Sequence, residues 1–447
     1  MSKILIRDAT VVNEGRSFTG SVLVEDERIA MVVQGDRPVA AAADRVIEAA
    51  GRWLLPGVID EHVHFRDPGF PRKADFASES AAAVAGGVTS VMDMPNTSPQ
   101  TVTLERVEEK FRMAAVKSLV NHAFWLGATA DNLAEVERAD PARICGIKVF
   151  MGSSTGNMLL DDEKALARVF AKAPVLVGVH AEDDAIIREN RKKYEEQFGI
   201  NIPFPLHPEI RTREACYRAT AKAIEMARIH GTRLHLLHLS TADETELLDK
   251  DPPLSRKRIT AEVCIPHLWF TEDDYYRLGS RIKVNPAIKS DTDREALRQA
   301  LADDRLDTVA TDHAPHTLDE KIKPYLHAPS GMPSIQHSLP VMLELVRENI
   351  LLPEKVVEKM CHNPATIFGI KERGFIREGY FADLVLVDPH SPWEVGPDNI
   401  LYKCGWSPFE GVSFRARITH TFVNGHPVYE ENRIDPTYKG KALTFVR

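Results

Sequence analysis

The stretch from Trp53 to Gly69, WLLPGVIDEHVHFRDPG, is an apolar run that turns polar at its end. Residues at i and i+2 of a strand share a face, so His62 and His64 would present two imidazoles side by side. Two such rings suit two ligands of one metal ion. A His-x-His pair also arises by chance, so its meaning depends on what the rest of the chain brings to the same place.

Seven more strand-like segments follow: GVTSVMDMP, NHAFWLGAT, GIKVFMG, APVLVGVHAE, RLHLLHLST, RITAEVCIPHLW and DTVATDHAPH. Helical stretches such as LERVEEKFRMAAVKS and REACYRATAKAIEMARI lie between most of them. Near-continuous apolar strands alternating with helices describe a parallel sheet buried on both faces. Eight such units over about 320 residues fit a (β/α)8 barrel with insertions. A doubly wound open sheet competes, but no G-x-G-x-x-G follows the first strand.

The chain ends have another texture. KILIRDATVV, GSVLVEDERIAMVV and DRVIEAA at one end, and YFADLVLVDP and ITHTFVNGHPVYE at the other, read as short strands with turns. Asn424-Gly425 between two apolar runs is a hairpin signal. The two ends are expected to pair into one small β-sandwich domain. The α/β chain then divides into residues 1–52 (N-terminal part of the β domain), 53–374 (TIM-type barrel) and 375–447 (C-terminal part of the β domain).

In a barrel the active site lies at the C-terminal ends of the strands. Strand one ends in His62 and His64, and strand four carries Lys148 between Ile147 and Val149. Strand five ends in His180, strand six in His238 and strand eight in Asp312. One polar residue at a strand end is unremarkable, but a potential metal ligand at five of eight is a pattern. Imidazoles and a carboxylate without thiolates suit zinc or a similar first-row ion. Four histidines, an aspartate and a buried lysine exceed one tetrahedral ion and fit two that share a bridge. Burial lowers a lysine pKa, and the neutral amine can take up carbon dioxide as a carbamate, one oxygen for each ion. A bridging hydroxide would then be the nucleophile.

Bulk properties exclude other classes. With 43% apolar and 27% charged residues the composition is that of a soluble globular protein. A net charge of −9 argues against a nucleic-acid partner. No run approaches a membrane span, and MSKILIRDATVV lacks the apolar core of a secretion signal. Five scattered cysteines without a C-x-x-C pair point to free thiols in a reducing, cytoplasmic setting.

The segments DEHVHFRDPG, MDMPNT, GIKVFMG, VHAED, LHLST and ATDHAPH, with GFIREGYFADLVLVD, resemble the amidohydrolase superfamily. Within it they resemble the dihydroorotases, especially the longer form with an added β domain. The likeness runs from about Leu55 to Asp388. His-x-His-x-Arg followed by Asp-Pro-Gly is its most specific part, because allantoinases and hydantoinases usually lack that arginine. The resemblance implies reversible hydrolysis of the cyclic amide of L-dihydroorotate to N-carbamoyl-L-aspartate in pyrimidine synthesis. It implies two zinc ions bridged by carboxylated Lys148 and a hydroxide. His62, His64, Lys148 and Asp312 would hold one ion, and Lys148, His180 and His238 the other. Asp312 would be the general base and acid. Arg66, Asn96 and His316 would grip the substrate carboxylate, with Asn285 a further ring contact. The expected partner is this small molecule, with no nucleic acid and no membrane, and the expected assembly is a homodimer. The alternative activity is an allantoinase or hydantoinase-type cyclic amidase. A non-catalytic barrel would be missing ligands, and none is missing.

The sequence departs from the family pattern after strand seven, where VNPAIKS puts Ala287 and Lys289 in place of a second proline and an arginine. His267 stands alone where the family often pairs histidines. Some bacterial dihydroorotases bridge the metals with an aspartate, for which Asp161 and Asp162 are available. His235 has the opposite strand parity from His238 and is expected to pack outward, and His313 is expected to be structural. The loop TLDEKIKPYLHAPSGMP is either a moving lid or plain surface.

Overall fold

The computed structural model describes residues 2–35, 37, 42–152, 158–160 and 162–447. All eight expected barrel segments form strands: Val58–Val63, Val88–Asp93, Asn121–Phe124 continuing as Leu126–Gly127, Ile147–Phe150, Val177–His180, Leu234–Leu236, Ile259–Cys264 and Thr308–Ala310. The paired neighbours run parallel. The ring closes between the last strand and the first. Val63 bridges His313, and the Asp60 carboxylate accepts from the Thr311 hydroxyl at 2.6 Å and its backbone N–H at 3.2 Å.

The helices follow their apolar spacing. In Leu104–Lys117 the buried Val107, Phe111 and Ala114 fall at i, i+4 and i+7, and the Thr103 hydroxyl caps the first turn. The N-terminal end of the barrel is plugged by Ile59, Met92, Trp125, Cys145, Leu176 and Phe368. Trp125 fits because Gly146 and Gly178 lack the Cβ that would meet its ring at 2.3 and 2.6 Å.

The two chain ends do pair. Nine strands form one sheet, and Trp53–Pro56 is its seam: it lies parallel to Lys3–Asn13 and antiparallel to Leu384–Asp388. Alternation divides the sheet's faces. Leu54, Leu384 and Leu386 face the β domain's own core, while Leu55, Val385 and Val387 face the barrel. Asn424 and Gly425 form the expected two-residue turn, with φ of 47° and 77°.

Two expected boundaries shift. WLLPGVIDEHVHF is two strands, because Gly57 breaks the run and its Cα abuts Thr89. Trp53–Pro56 therefore belongs to the end sheet and not to the barrel. The final residues leave that sheet and return under the barrel, where the Leu443 N–H donates to His122 O and Phe445 joins the plug around Trp125.

Candidate metal and substrate site

His62, His64, Lys148, His180, His238 and Asp312 line one cavity at the C-terminal mouth of the barrel, together with Arg66, Asn96, Asn285, Phe150, Ser330 and Gly331. The six expected metal ligands fall into two groups. In the first, Asp312 Oδ1 lies 3.0 Å from His64 Nε2 and 3.3 Å from His62 Nε2. Ligand atoms of these three residues sit within 4.8 Å of one another. In the second, His180 Nδ1 faces His238 Nε2 at 2.8 Å. Lys148 is wholly buried, and its Nζ has no hydrogen-bond partner among the described residues.

The ring orientations are set from behind. Asn96 Oδ1 stands 2.6 Å from His64 Nδ1, and Glu262 Oε1 stands 2.5 Å from His62 Nδ1. A carboxylate only accepts, so the His62 proton stays on Nδ1 and its Nε2 lone pair points into the cavity. Glu182 lies 2.9 Å from His180 Nε2 and is itself gripped by Arg211.

Electrostatics agree with ligand duty. Burial brings His64 down to about 4 and His238 well below the ordinary histidine range, so both are neutral imidazoles near pH 7. Burial also lowers Lys148 to about 8, although Glu262 and Asp312 pull it upward. Burial raises the Asp312 carboxyl, but His62, His64 and Lys148 outweigh that and bring it to about 2, so it is ionised at neutral pH. His238 and Asp312 both adopt positive φ, 42° and 46°, which strains L residues and turns their side chains into the mouth.

Two features show that these residues fit metal ions. An unpartnered buried amine is costly unless something else meets it, and His180 Nδ1 and His238 Nε2 meet 2.8 Å apart in the same cavity, where their lone pairs are available to an ion. A family model described as "Amidohydrolase family" matches residues 53–428.

The chain belongs to the amidohydrolase family.

Proteins named dihydroorotase from Halobacterium salinarum and Methanosarcina acetivorans are 37% and 32% identical to it. The matches cover 91% and 97% of this chain and 92% and 94% of those proteins. Among solved structures, an L-hydantoinase (dihydropyrimidinase) from Arthrobacter aurescens superposes with a TM-score of 0.93 at 27% identity, covering 99% of this chain and 100% of its own.

Arg66 is buried beside His316, with Nη2 3.1 Å from its Nε2. His316 lies behind Arg66, outside the cavity lining. The Lys73 ammonium donates to its Nδ1 at 3.0 Å, so Nε2 carries the proton and donates to Ser330 O at 3.0 Å. Asn285 lines the cavity, and its Oδ1 has no partner among the described residues. Asp162 caps helix Glu163–Lys172 and does not reach the metal ligands, while Asp161 lies outside the described residues. His313 is structural, paired with Glu79 at 2.8 Å. His235 does not pack outward. Its Nδ1 meets Thr260 Oγ1 at 2.8 Å and its Nε2 faces Glu262 Oε2 at 3.5 Å. Parity counted back from His238 fails because the strand ends at Leu236 and His238 is left-handed.

Glu182, Arg211 and Glu262 escaped the sequence reading. The only signal for Glu262 was a lone acid inside the apolar ITAEVC, and nothing pointed to its partners.

The loop after strand eight is fastened. Lys321 is fully buried and donates to the carbonyls of Pro329 at 2.9 Å and Gly331 at 2.8 Å. Lys283 donates to those of Tyr325 and Ala328, each at 2.7 Å. Lys321→Ala unpairs buried carbonyls, at about 1–3 kcal/mol of local stability. Amide exchange across residues 323–331 should then quicken roughly 5- to 150-fold. Unchanged exchange would show that the loop is held by other contacts.

Proposed function

We propose that this chain is a dihydroorotase, opening the cyclic amide of dihydroorotate reversibly. The observation that carries this is Arg66. It is buried and lines the cavity two residues beyond His64. A buried guanidinium fork at the cavity wall is a receptor that a small carboxylate completes. Burial lowers Arg66 only to about 10, so it keeps its charge at neutral pH. The similarity to named dihydroorotases over nearly the whole chain supports the same reading. The hydantoinase alternative shares the fold but has no need of a buried guanidinium.

His62, His64 and Asp312 would hold one divalent ion, His180 and His238 the other, with Lys148 as a carbamate between them. We assign zinc on the chemistry of the donors. Ions held by these residues would supply Lewis-acid polarisation of the ring carbonyl and a nucleophilic water at neutral pH. The chain's own part is positional and protic. Arg66 fixes the substrate carboxylate, which places the ring amide against the ligand cluster. Asp312, ionised at neutral pH, takes one proton of the attacking water, and the other goes to solvent as the product acid ionises. As the carbonyl C–N bond breaks, Asp312 passes its proton to the departing nitrogen. The products are a free carboxylate and a terminal ureido NH2. Ring closure runs the same transfers backward.

Arg66→Lys keeps the charge and loses the fork; Arg66→Gln loses both. Each should retain two metal ions yet lose kcat/KM for dihydroorotate. Loss of a charge-assisted contact of about 2–5 kcal/mol corresponds to roughly 30- to several-thousand-fold. Dihydrouracil, which lacks the carboxylate, should start low and change little. Equal losses on both substrates would mean that Arg66 supports the fold or the metal ligands and not the substrate.

A further inference from the structure

Glu262 lies in the seventh barrel strand with no solvent exposure. Its Oε1 meets His62 Nδ1 at 2.5 Å and also accepts the backbone N–H of His238 at 3.0 Å. His62 belongs to the ligand group with His64 and Asp312, whereas His238 belongs to the pair with His180. One carboxylate oxygen thus touches a residue from each half of the site. The two contacts differ in kind. At His62 the acceptor sets which ring nitrogen carries the proton. At His238 it holds the backbone of a residue at φ 42°, a conformation that needs surrounding contacts to persist. The other oxygen faces His235 Nε2 at 3.5 Å, and His235 is in turn fastened to Thr260. That contact is too long for a hydrogen bond, so Glu262 acts on the site through Oε1.

We propose that Glu262 is the positioning residue that sets both metal positions at once, through the His62 tautomer and the His238 turn. The proposal rests on the two-ion reading given above. Asn96 does the corresponding work for His64, in the first group. Removing a partner behind a metal-bound histidine typically weakens metal binding about 10- to 100-fold. Glu262 should show that loss at both ions, and Asn96 at one.

The test uses the full-length protein stripped of metal and titrated with Zn2+ against a chromophoric chelator. Thermal melting of each metal-free form is recorded alongside. The unmutated chain should take up two ions. Glu262→Gln should bind both about 10- to 100-fold more weakly, with a metal-free melting temperature close to that of the parent. Asn96→Ala should weaken one ion. Two ions at parental affinity in Glu262→Gln, or weakening confined to one, would overturn the proposal. So would a loss matched by a fall in metal-free melting temperature, which marks a merely structural carboxylate. Fewer than two ions in the unmutated chain would instead remove the two-ion reading beneath it. Should the variant fail to fold, 15N-histidine spectra of the unmutated metal-free protein decide: His62 protonated at Nδ1 supports the proposal, and at Nε2 overturns it.

Discussion

Lys148→Ala should lose most of its bound metal and nearly all of its activity. The amine is wholly buried and has no hydrogen-bond partner among the described residues, yet it lies in a cavity lined by four histidines and an aspartate. Burial lowers it to about 8, so a reactive neutral fraction is present at neutral pH. As a carbamate it would bring a negative charge and two oxygens into that cavity. A metal-generated nucleophile and a polarised carbonyl are each worth several kcal/mol, so turnover should fall by more than about 10³-fold. Short carboxylic acids added in solution should restore part of it by filling the gap. Metal analysis alongside the rate assay checks this. Full occupancy with near-parental turnover would remove Lys148 from the site.

Asp312→Asn should lower turnover in both directions by about 10²- to 10⁴-fold, the usual worth of general acid–base assistance. The amide keeps the size of the side chain but cannot carry the proton. The parent's pH dependence has a definite sign. Hydrolysis must begin with Asp312 ionised, so its rate falls as pH drops and the shared proton is taken up before reaction. Ring closure must begin with that proton in place, so its rate falls as pH rises. Opposed pH profiles for the two directions are therefore expected. Parallel profiles would contradict the shuttle role.

How much of this was legible in the sequence differs from residue to residue. The barrel strands were readable because burial on both faces makes them nearly continuous apolar runs, and the polar residues ending them stood out against that background. The six residues expected as ligands, and Arg66, line one cavity. What the sequence hid was contact across strands. Glu262 sits 200 residues from His62, and Glu182 meets Arg211 from 29 away. A single sequence carries no sign of such pairs. Parity also misled where the backbone leaves the β region: His235 was placed outside by counting from His238, whose positive φ breaks the alternation. Trp53–Pro56 looked like barrel because a strand's apolar pattern does not say which sheet it joins, and only the break at Gly57 separates the two.

Substrate choice is the most direct measurement: the purified, metal-loaded chain assayed side by side on dihydroorotate, dihydrouracil, hydantoin and allantoin. A buried guanidinium that the substrate carboxylate completes should favour dihydroorotate in kcat/KM by about 10²-fold or more over the uncharged rings. Turnover of dihydrouracil or hydantoin equal to or better than that of dihydroorotate would contradict the dihydroorotase reading and make the chain a hydantoinase-type amidase.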